Sequence, residues 1–251
     1  MNILILKTFP LSFDDWNKVG IIERETKIYK IITKKMKISF IFFSFGNKNE
    51  YKYKKKIHPL NLYALDSKIK NYYLKLFFSI FIPLLHKNIF KKIDVIQSNQ
   101  FWGSWIGLIA AKIYKKKFIL REGFQFYYFQ TKLNKRKLFK LLLIKILSKL
   151  IYNYSDYIIC TSLVHKNFIT SNFKIPKNKI FIIPNFIDTN IFKKNNNKKN
   201  DRLLLVGRLN YQKNIELVIK AISNSNYILD IIGHGDNNKY KNLSNKYNSK
   251  V

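Results

Sequence analysis

Short runs of consecutive apolar residues alternate along the chain with stretches in which apolar residues recur every three or four positions. The first pattern is typical of buried parallel strands and the second of amphipathic helices, so their alternation favours an α/β protein. The predicted strands are Asn2–Lys7, Ile38–Ser44, Asp94–Ser98, Phe118–Arg121, Tyr157–Thr161 and Ile180–Ile183. The predicted helices cover residues 20–35, 67–90, 103–115, 136–153 and 162–172. The pattern predicts an α/β fold with a mainly parallel sheet.

A low-complexity run of lysine and asparagine at residues 193–200 interrupts this alternation and cannot bury a core, which predicts a linker over residues 191–200. After it the pattern starts again with a strand, a helix and a strand, at Arg202–Val206, Ile215–Ile222 and Tyr227–Ile232, followed by a polar segment, Asn237–Val251. We predict one complete domain over residues 1–190 and a second over 201–251. The second is far shorter than the roughly 100–150 residues of a common domain, so we expect it to be incomplete.

Two other segments lack either periodicity. Gly46–Lys56 is polar and rich in lysine, which predicts a surface loop. Thr8–Val19, after the first strand, is predicted to be a loop that leads to Gly20 at the start of the first helix.

The chain has a formal net charge of +33 at pH 7, which would attract polyanions such as nucleic acids. Arginine, however, occurs only five times. Nucleic-acid-binding proteins rely on arginine for bidentate contacts, and none of their common sequence modules occurs here. We interpret most of the charge as compositional bias over solvated faces, with attraction to anionic lipid headgroups as a weaker interpretation.

The single cysteine, Cys160, permits no intramolecular disulfide and fits a reducing compartment. The N-terminus reads as a first strand and not as a signal peptide. The most apolar run, Leu76–Leu85, contains Pro83 and is too short to span a bilayer. We expect a cytoplasmic protein that is soluble or associated peripherally with a membrane.

A candidate anion site follows the strand Arg202–Val206. Gly207 and Arg208 end this strand, and four residues separate Arg208 from Lys213, which lies just before the next helical pattern. Backbone N–H groups at a helix start favour an anion, and Arg and Lys supply charge-assisted hydrogen bonds to phosphate. The alternative is a strand-to-helix turn with two exposed cations.

Four segments together resemble the GT-B glycosyltransferases of family 4, also called glycosyltransferase group 1. One is Val206-Gly207-Arg208-Leu209 with Lys213-Asn214, Glu216-Leu217 and Ala221, which resembles the donor-phosphate motif of that family. The others are Leu229–Asp236 with the glycine pair Gly233 and Gly235, Ser155–Ser162, and the crossing segment Ile182–Asp188 with Phe192. The resemblance covers nearly the whole chain but is weak before Asp94.

The resemblance implies two Rossmann-like domains, the first binding an acceptor and the second a nucleotide-sugar donor. Gly207, Arg208 and Lys213 would hold the donor diphosphate. The resemblance also implies a retaining hexosyltransferase that uses a glycan or lipid-linked acceptor in cell-envelope polysaccharide or glycolipid synthesis. Because two cations can replace a divalent metal and no acidic metal motif is evident, we expect no metal and no cofactor.

The resemblance adds further candidates, each with a simpler alternative. Gly20 would let the backbone approach a ligand phosphate, or would merely begin a helix; Asp14, Asp15 and Trp16 nearby would line an acceptor pocket, or belong to an ordinary surface loop. Arg121 and Glu122 are candidate catalytic residues, Arg121 for a phosphate and Glu122 for the sugar or acceptor, against a surface ion pair. Ser162 would bind in the cleft, or cap a helix.

Other residues receive structural interpretations. Asn185 and Asp188 fit turn chemistry, and His234 fits a loop. His58, His86 and His165 show no ligand spacing and no partner motif for a hydrolytic triad. The leucine-rich stretch Leu138–Ile151 with its lysines is interpreted as a core helix first and as a membrane-surface helix second.

Family members carry two glutamates, separated by seven residues, later in the second domain, and the sequence reaches Val251 without them. Two hypotheses follow: a glycosyltransferase represented by an incomplete sequence, or a non-catalytic remnant that acts at most as a binding module. A basic nucleic-acid-binding protein is a third and weaker hypothesis.

Overall fold

The computed structural model describes residues 1–133, 137–193 and 201–250, except for the side chain of Tyr211. The chain divides into two compact units, Met1–Phe186 and Ile187–Val251. Most of the predicted linker, residues 194–200, lies outside the described residues, so its conformation stays a prediction.

The first unit is built on a seven-stranded parallel sheet whose strand order is β3-β2-β1-β4-β5-β6-β7. Its strands are β1 (Asn2–Leu6), β2 (Ser39–Ser44), β3 (Asn61–Ala64), β4 (Val95–Ser98), β5 (Lys117–Glu122), β6 (Tyr157–Cys160) and β7 (Ile180–Ile182). β1 is central and pairs with β2 and β4, with Ile3 opposite Phe40 on one side and Val95 on the other. The predicted α/β fold with a parallel sheet is confirmed. Six strands lie within one residue of their predicted bounds, and β3 was not predicted.

Helices connect the strands of the first unit. They are α1 (Phe13–Lys18), α2 (Ile22–Lys35), α3 (Lys54–Ile57), α4 (Tyr72–Phe78), α5 (Ile82–Leu85), α6 (Lys87–Lys91), α7 (Ser104–Ile113), α8 (Phe126–Leu133), α9 (Leu138–Tyr154) and α10 (Leu163–Phe173), with 3-10 segments Lys48–Tyr53, Ser79–Phe81 and Lys177–Lys179. The single helix predicted over 67–90 is wrong. Pro83 lies in the first turn of α5, where a missing N–H costs nothing, and it separates α5 from the helical turns before it.

Two apolar cores lie on opposite faces of this sheet, because successive side chains of a strand point to opposite faces. Leu4 and Leu6 of β1 pack in one core with side chains of α7, α9 and α10, whereas Ile5 packs in the other with α1 and α2. Both cores are closed by buried aromatic rings, Phe43 in the first and Phe42 in the second.

The predicted surface loop over Gly46–Lys56 is wrong, because this segment folds into the 3-10 turn and α3 around a buried carboxylate. Glu50 is fully buried, and its Oε1 accepts hydrogen bonds from the backbone N–H groups of Phe13 (2.5 Å) and Asp14 (3.2 Å) at the start of α1. The segment therefore caps a helix that is close only in space.

The second unit contains β8 (Arg202–Val206), the 3-10 turn Tyr211–Lys213, α11 (Ile215–Ala221), β9 (Ile228–Ile232) and α12 (Asn237–Lys246). β8 and β9 are parallel, with Leu204 opposite Asp230. Ile215, Ile219, Ile222, Leu229 and Tyr240 form the core of this unit. The helix α12 was not predicted, since one buried tyrosine in a polar segment gives a weak apolar period. In the described ranges of the chain, every helix is too short or too polar to cross a membrane.

Candidate functional site

The turns after β8 and β9 lie side by side and bring the predicted donor-phosphate residues together. The Gly207 N–H donates to the carbonyl of Ile232 (2.9 Å), and the Leu209 N–H donates to the carbonyl of His234 (2.8 Å). A Cβ on Gly233 would overlap the carbonyl group of Gly207, so only glycine permits this backbone approach. The two turns form one continuous surface of backbone.

Lys213 ends the 3-10 turn on the same surface, and its side chain lies along Gly207: a Cβ built on Gly207 would be 2.8 Å from Cε of Lys213. Arg208 and Lys213 are both exposed. Within the described part of the second unit, no carboxylate pairs with either cation, whereas Arg202 and Lys220 pair with Asp230 and Glu216. Two uncommitted positive charges therefore flank a backbone turn, and this arrangement suits an anionic oxygen ligand.

The remaining glycine of this surface, Gly235, has φ +151° and forms a parallel β-bridge with Leu209. A Cβ built on Gly235 would overlap the side chain of Leu209. Asn210 lies between Arg208 and Lys213, and its Oδ1 is buried without a hydrogen-bond partner among the described residues. His234 is exposed, as its interpretation as a loop residue expects.

In the first unit, Arg121 connects two ends of the sheet. Its Nη1 donates to the backbone carbonyl (3.0 Å) and Oδ1 (3.3 Å) of Asn99, after β4, and its Nη2 donates to Oδ1 of Asn185 (3.0 Å), after β7. Part of the guanidinium is thus occupied by protein oxygens. Asn185 is a partner of Arg121, a contact that its interpretation as a turn residue did not foresee.

Glu122 lies in the interior, so its interpretation as half of a surface ion pair is wrong. Its Oε2 accepts a hydrogen bond from the Tyr152 hydroxyl (2.8 Å) and lies 3.1 Å from Nε2 of His165, while Nε2 of Gln125 donates to the Tyr152 hydroxyl (3.1 Å). Among the described residues, nothing forms a hydrogen bond with Glu122 Oε1. Burial and the charge of Glu122 hold the pKa of Tyr152 well above its usual value, so the phenol stays protonated and donates.

Sequence reasoning found no partner for His165 because Glu122 lies far away in sequence. The three-residue spacing between Ser162 and His165 is that of a helix cap, and it indicates only that His165 lies in the first turn of a helix. Ser162 caps α10, since its Oγ accepts from the His165 N–H (3.2 Å), and Ser162 itself is exposed. The buried cluster therefore sits directly behind an exposed serine at the carboxyl edge of the sheet.

The residues after β1 make contacts that stabilise the fold. Trp16 is buried, and Asp15 and Ser12 form reciprocal hydrogen bonds that cap α1, so the interpretation of these residues as an ordinary surface loop is wrong. Asp14 accepts from the Tyr53 hydroxyl (2.7 Å) and pairs with Lys52 (2.9 Å). Gly20 precedes α2 with φ +67°, a conformation that favours glycine, and nothing lies within 4 Å of a Cβ built on it.

Lys7, immediately after β1, is a buried lysine that sequence reasoning missed. Its Nζ donates to the carbonyl of Ser12 (2.7 Å) and lies 3.4 Å from the ring centroid of Trp16. Burial lowers the pKa of Lys7 to about 7, and the nearby charge of Glu50 opposes this shift. β1 is buried on both faces at Leu4, Ile5 and Leu6, so no alternating pattern in the sequence indicates whether the residue that follows is buried.

A pocket of about 350 Å³ opens at the carboxyl ends of β2 and β3. Phe9, Phe45, Leu65, Phe78 and Ile82 give it a mainly apolar wall, and its charged or titratable groups are Lys68, Lys75, His86 and Asp66, which is paired with Lys48. Burial lowers the pKa of His86, whose Nδ1 lies 2.8 Å from the Tyr63 hydroxyl. The pocket can hold an apolar group with a negative charge near it.

Two family models match the chain. The model described as Glycosyltransferase Family 4 matches residues 35–191, and that described as Glycosyl transferases group 1 matches residues 186–251. No curated protein matches the sequence.

Several solved structures are similar to the chain. They include the lipopolysaccharide outer core galactosyltransferase WaaB in its apo form (TM-score 0.61, 18% identity, 99% of this chain and 65% of that chain) and Anabaena HepE in complex with UDP (0.69, 11%, 99% and 66%). A third is sucrose-phosphate synthase from Thermosynechococcus elongatus (0.67, 14%, 99% and 68%). The chain thus spans about two-thirds of their lengths. At these identities the likeness shows the fold, and it confirms the predicted GT-B type.

Proposed function

The chain belongs to glycosyltransferase family 4, and from this membership we propose that it transfers a sugar from a nucleotide-diphosphate sugar to a glycan or lipid-linked acceptor. The observation that carries the proposal is the pair of exposed, uncommitted cations, Arg208 and Lys213, beside the glycine turn of the second unit. Among the similar structures, Anabaena HepE is described in complexes with UDP and with UDP-glucose. A uridine nucleotide is therefore the first donor to test.

The proposed reaction explains why cations are needed at this turn. The bond between the anomeric carbon and the diphosphate oxygen breaks, the acceptor hydroxyl oxygen bonds to that carbon, and the hydroxyl proton leaves to a base. The departing diphosphate becomes more negative in the transition state than in the bound donor. Arg208 and Lys213, if preorganised around it, would lower the barrier by stabilising this added charge.

The same charge argument underlies the proposal that no divalent metal is needed, because the two side chains would supply the positive charge that a metal supplies elsewhere. Retention of the anomeric configuration, transfer of a hexose and a place in cell-envelope polysaccharide or glycolipid synthesis are part of the proposal through family membership alone.

Arg121 and Glu122 remain the proposed catalytic pair of the first unit, but their contacts favour different roles in the reaction. Arg121 is partly exposed and keeps N–H groups that can turn to a phosphate. Glu122 is fully buried, which favours an indirect role: it would position His165 and the start of α10 without touching the substrate.

The pocket at β2 and β3 supports an amphipathic acceptor, because its wall is mainly apolar and Lys68 and Lys75 line it. Contact with a membrane at the cytoplasmic face is supported by α9. Its Leu138, Phe139 and Leu142 are at least half exposed beside exposed lysines, which supports the membrane-surface interpretation of this helix.

Calorimetric titration of the chain with UDP, and with ADP and GDP for comparison, tests the donor site. Arg208→Ala and Lys213→Ala should each weaken the binding of the preferred diphosphate at least tenfold, as about 1.5–3 kcal/mol per charged hydrogen bond requires. Lys241→Ala is the matched control: it removes an exposed lysine of α12 and should leave the affinity unchanged. Equal affinities of the wild type and all three variants for the diphosphate would refute the assignment.

Transfer itself is tested by the release of free UDP from UDP-glucose or UDP-galactose in the presence of lipid or glycan acceptors. Tight nucleotide binding without any turnover would favour the second hypothesis, a binding module.

A further inference from the structure

The segment from Tyr72 to Leu85 exposes an unusual number of large apolar side chains, and we call its outward-facing part the 72–85 surface. Phe77, Leu84 and Leu85 are 60%, 54% and 70% exposed. The complete surface consists of Tyr72, Tyr73, Leu74, Phe77, Phe78, Ile80, Phe81, Leu84 and Leu85. Nine such residues in fourteen positions are more than scattered apolar surface residues would give.

The surface is large for a solvent-facing patch. If each side chain exposes about half of the roughly 150–250 Å² that a large apolar group carries, the total is on the order of 900 Å². The largest apolar patch on an ordinary monomer is roughly 300–600 Å² and commonly functional. An unpartnered area of this size indicates a binding surface.

The inner side of the segment is packed and hydrogen-bonded, so its outer side is held in place. Ser79, Ile82 and Pro83 are buried. The Trp105 Nε1–H of α7 donates to Oγ of Ser79 (2.9 Å), and the Tyr114 hydroxyl, just after α7, donates to the carbonyl of Pro83 (2.9 Å). The exposed side chains therefore belong to a well-anchored element.

The charge around the surface has one sign. Between Asp66 and Asp94 there are six lysines, at positions 68, 70, 75, 87, 91 and 92, and no acidic residue. Among the described residues, no carboxylate forms an ion pair with any of these six lysines. The exposed aromatic and aliphatic groups are thus flanked in sequence by these lysines, and Lys68 and Lys75 line the same pocket as Phe78 and Leu85.

We propose that the 72–85 surface docks on an anionic lipid bilayer. The aromatic and leucine side chains would enter the boundary between headgroups and acyl chains, and the lysines would contact lipid phosphates. A bilayer fits better than a protein partner because the carboxylate next to the patch, Asp66, is already paired with Lys48, whereas Lys68 and Lys75 beside it have no carboxylate partner among the described residues. The pocket described above is lined by Phe78, Ile82 and Leu85 of the same segment, so a docked molecule would present it to the membrane.

This proposal assigns a surface that is separate from α9, although the 3-10 turn Ser79–Phe81, α5 and α9 all pack against α7. It does not depend on transferase activity, and its test uses lipid alone.

Flotation of the full chain with vesicles measures the apolar part of the contact. The vesicles are roughly one-third phosphatidylglycerol in phosphatidylcholine, with pure phosphatidylcholine for comparison. The wild type should float with the anionic vesicles and far less with the neutral ones. The double variant Phe77→Glu and Phe81→Glu should lower partitioning at least tenfold. Met36→Glu, which makes the same kind of change at an exposed apolar residue after α2, should leave it unchanged.

A second pair of variants measures the charge. Replacing Lys87, Lys91 and Lys92 with glutamine should weaken binding to anionic vesicles by roughly 150-fold if each lysine contributes about 1 kcal/mol near the surface. Replacing Lys34, Lys35 and Lys37 with glutamine removes the same charge at the end of α2 and should have a much smaller effect. Circular dichroism melting checks that every variant is folded.

Equal flotation of the wild type and the Phe77→Glu, Phe81→Glu variant would overturn the proposal, as would equal effects of the two lysine triples. Sedimentation without lipid tests a second copy of the chain as the occupant. A dimer that the phenylalanine variant dissociates, together with no vesicle binding by the wild type, would also overturn it.

Discussion

The carboxylate of Glu122 and the imidazole of His165 meet in the interior of the first unit, with Oε2 and Nε2 3.1 Å apart and side chains that are 0% and 5% exposed. Glu122 ends β5, and His165 lies in the first turn of α10 behind the capping residue Ser162. The contact fixes the start of a helix against the carboxyl end of a strand. A substitution in the buried cluster should therefore alter the position of α10 and Ser162 at the exposed carboxyl edge of the sheet.

The hydroxyl of Tyr152 is the testable member of this cluster. Tyr152→Phe removes the donor to Glu122 and the acceptor for Gln125, leaving buried polar groups unsatisfied. We expect a loss of about 1–3 kcal/mol in the free energy of unfolding, measured by urea denaturation. Tyr157→Phe removes a hydroxyl from a half-exposed side chain and should change stability by less than about 0.5 kcal/mol. Similar effects of the two substitutions would contradict the structural importance of the cluster.

Lys7 should make stability depend on pH above neutrality. Because burial lowers its pKa to about 7 while the unfolded side chain keeps a pKa of 10.5, the unfolded state binds more protons between these values. Stability should therefore rise with pH in this window, and Lys7 should add no slope below pH 7.

The measurement is the difference in unfolding free energy between the wild type and Lys7→Met. It should shift in favour of the wild type by up to about 1.4 kcal/mol per pH unit above pH 7. Lys18→Met, at an exposed residue of α1, should show no such slope. A difference that is flat or falls with pH would contradict the lowered pKa.

Gly46 and Glu50 should be energetically coupled, because a Cβ on Gly46 would overlap the carboxyl group of Glu50. Gly46→Ala should cost about 1–3 kcal/mol by forcing that carboxylate away from the N–H groups of α1. In a Glu50→Ala background the same substitution should cost much less. A double-mutant cycle by urea denaturation measures the coupling, and additive losses would show that the two sites are independent.

Gly233→Ala and Gly207→Ala should differ strongly although both lie in the donor-site turns. At Gly233 the new methyl group meets backbone atoms that cannot yield, so we expect a loss above about 2 kcal/mol and faster hydrogen exchange at the Gly207 and Leu209 amides. At Gly207 it meets the side chain of Lys213, which can move, so we expect less than about 1 kcal/mol. Equal protection in both variants would count against the close approach of the turns.

The periodicity of the sequence was sufficient for six of the seven strands of the first sheet and for many of the helices. β1, β2 and β4 to β7 have apolar runs long enough to stand out from the polar residues around them, and the turn with Gly207, Arg208 and Lys213 is local in sequence. Short elements with few buried positions, such as β3, α1 and α12, were missed, since their stability comes from contacts that no local pattern contains.

The sequence by itself determined the α/β alternation, the excess of positive charge and the cations after β8, because each depends on residue type and spacing alone. Only the tertiary structure decided that Glu122 faces His165, that Glu50 caps α1 and that Lys7 is buried against Trp16. These are contacts between groups brought together by packing. Burial also decides their chemistry, since removing a carboxylate or an ammonium group from water changes which partners it must have. The identity of a polar residue in the sequence does not indicate whether the folded chain places it at the surface or in the core.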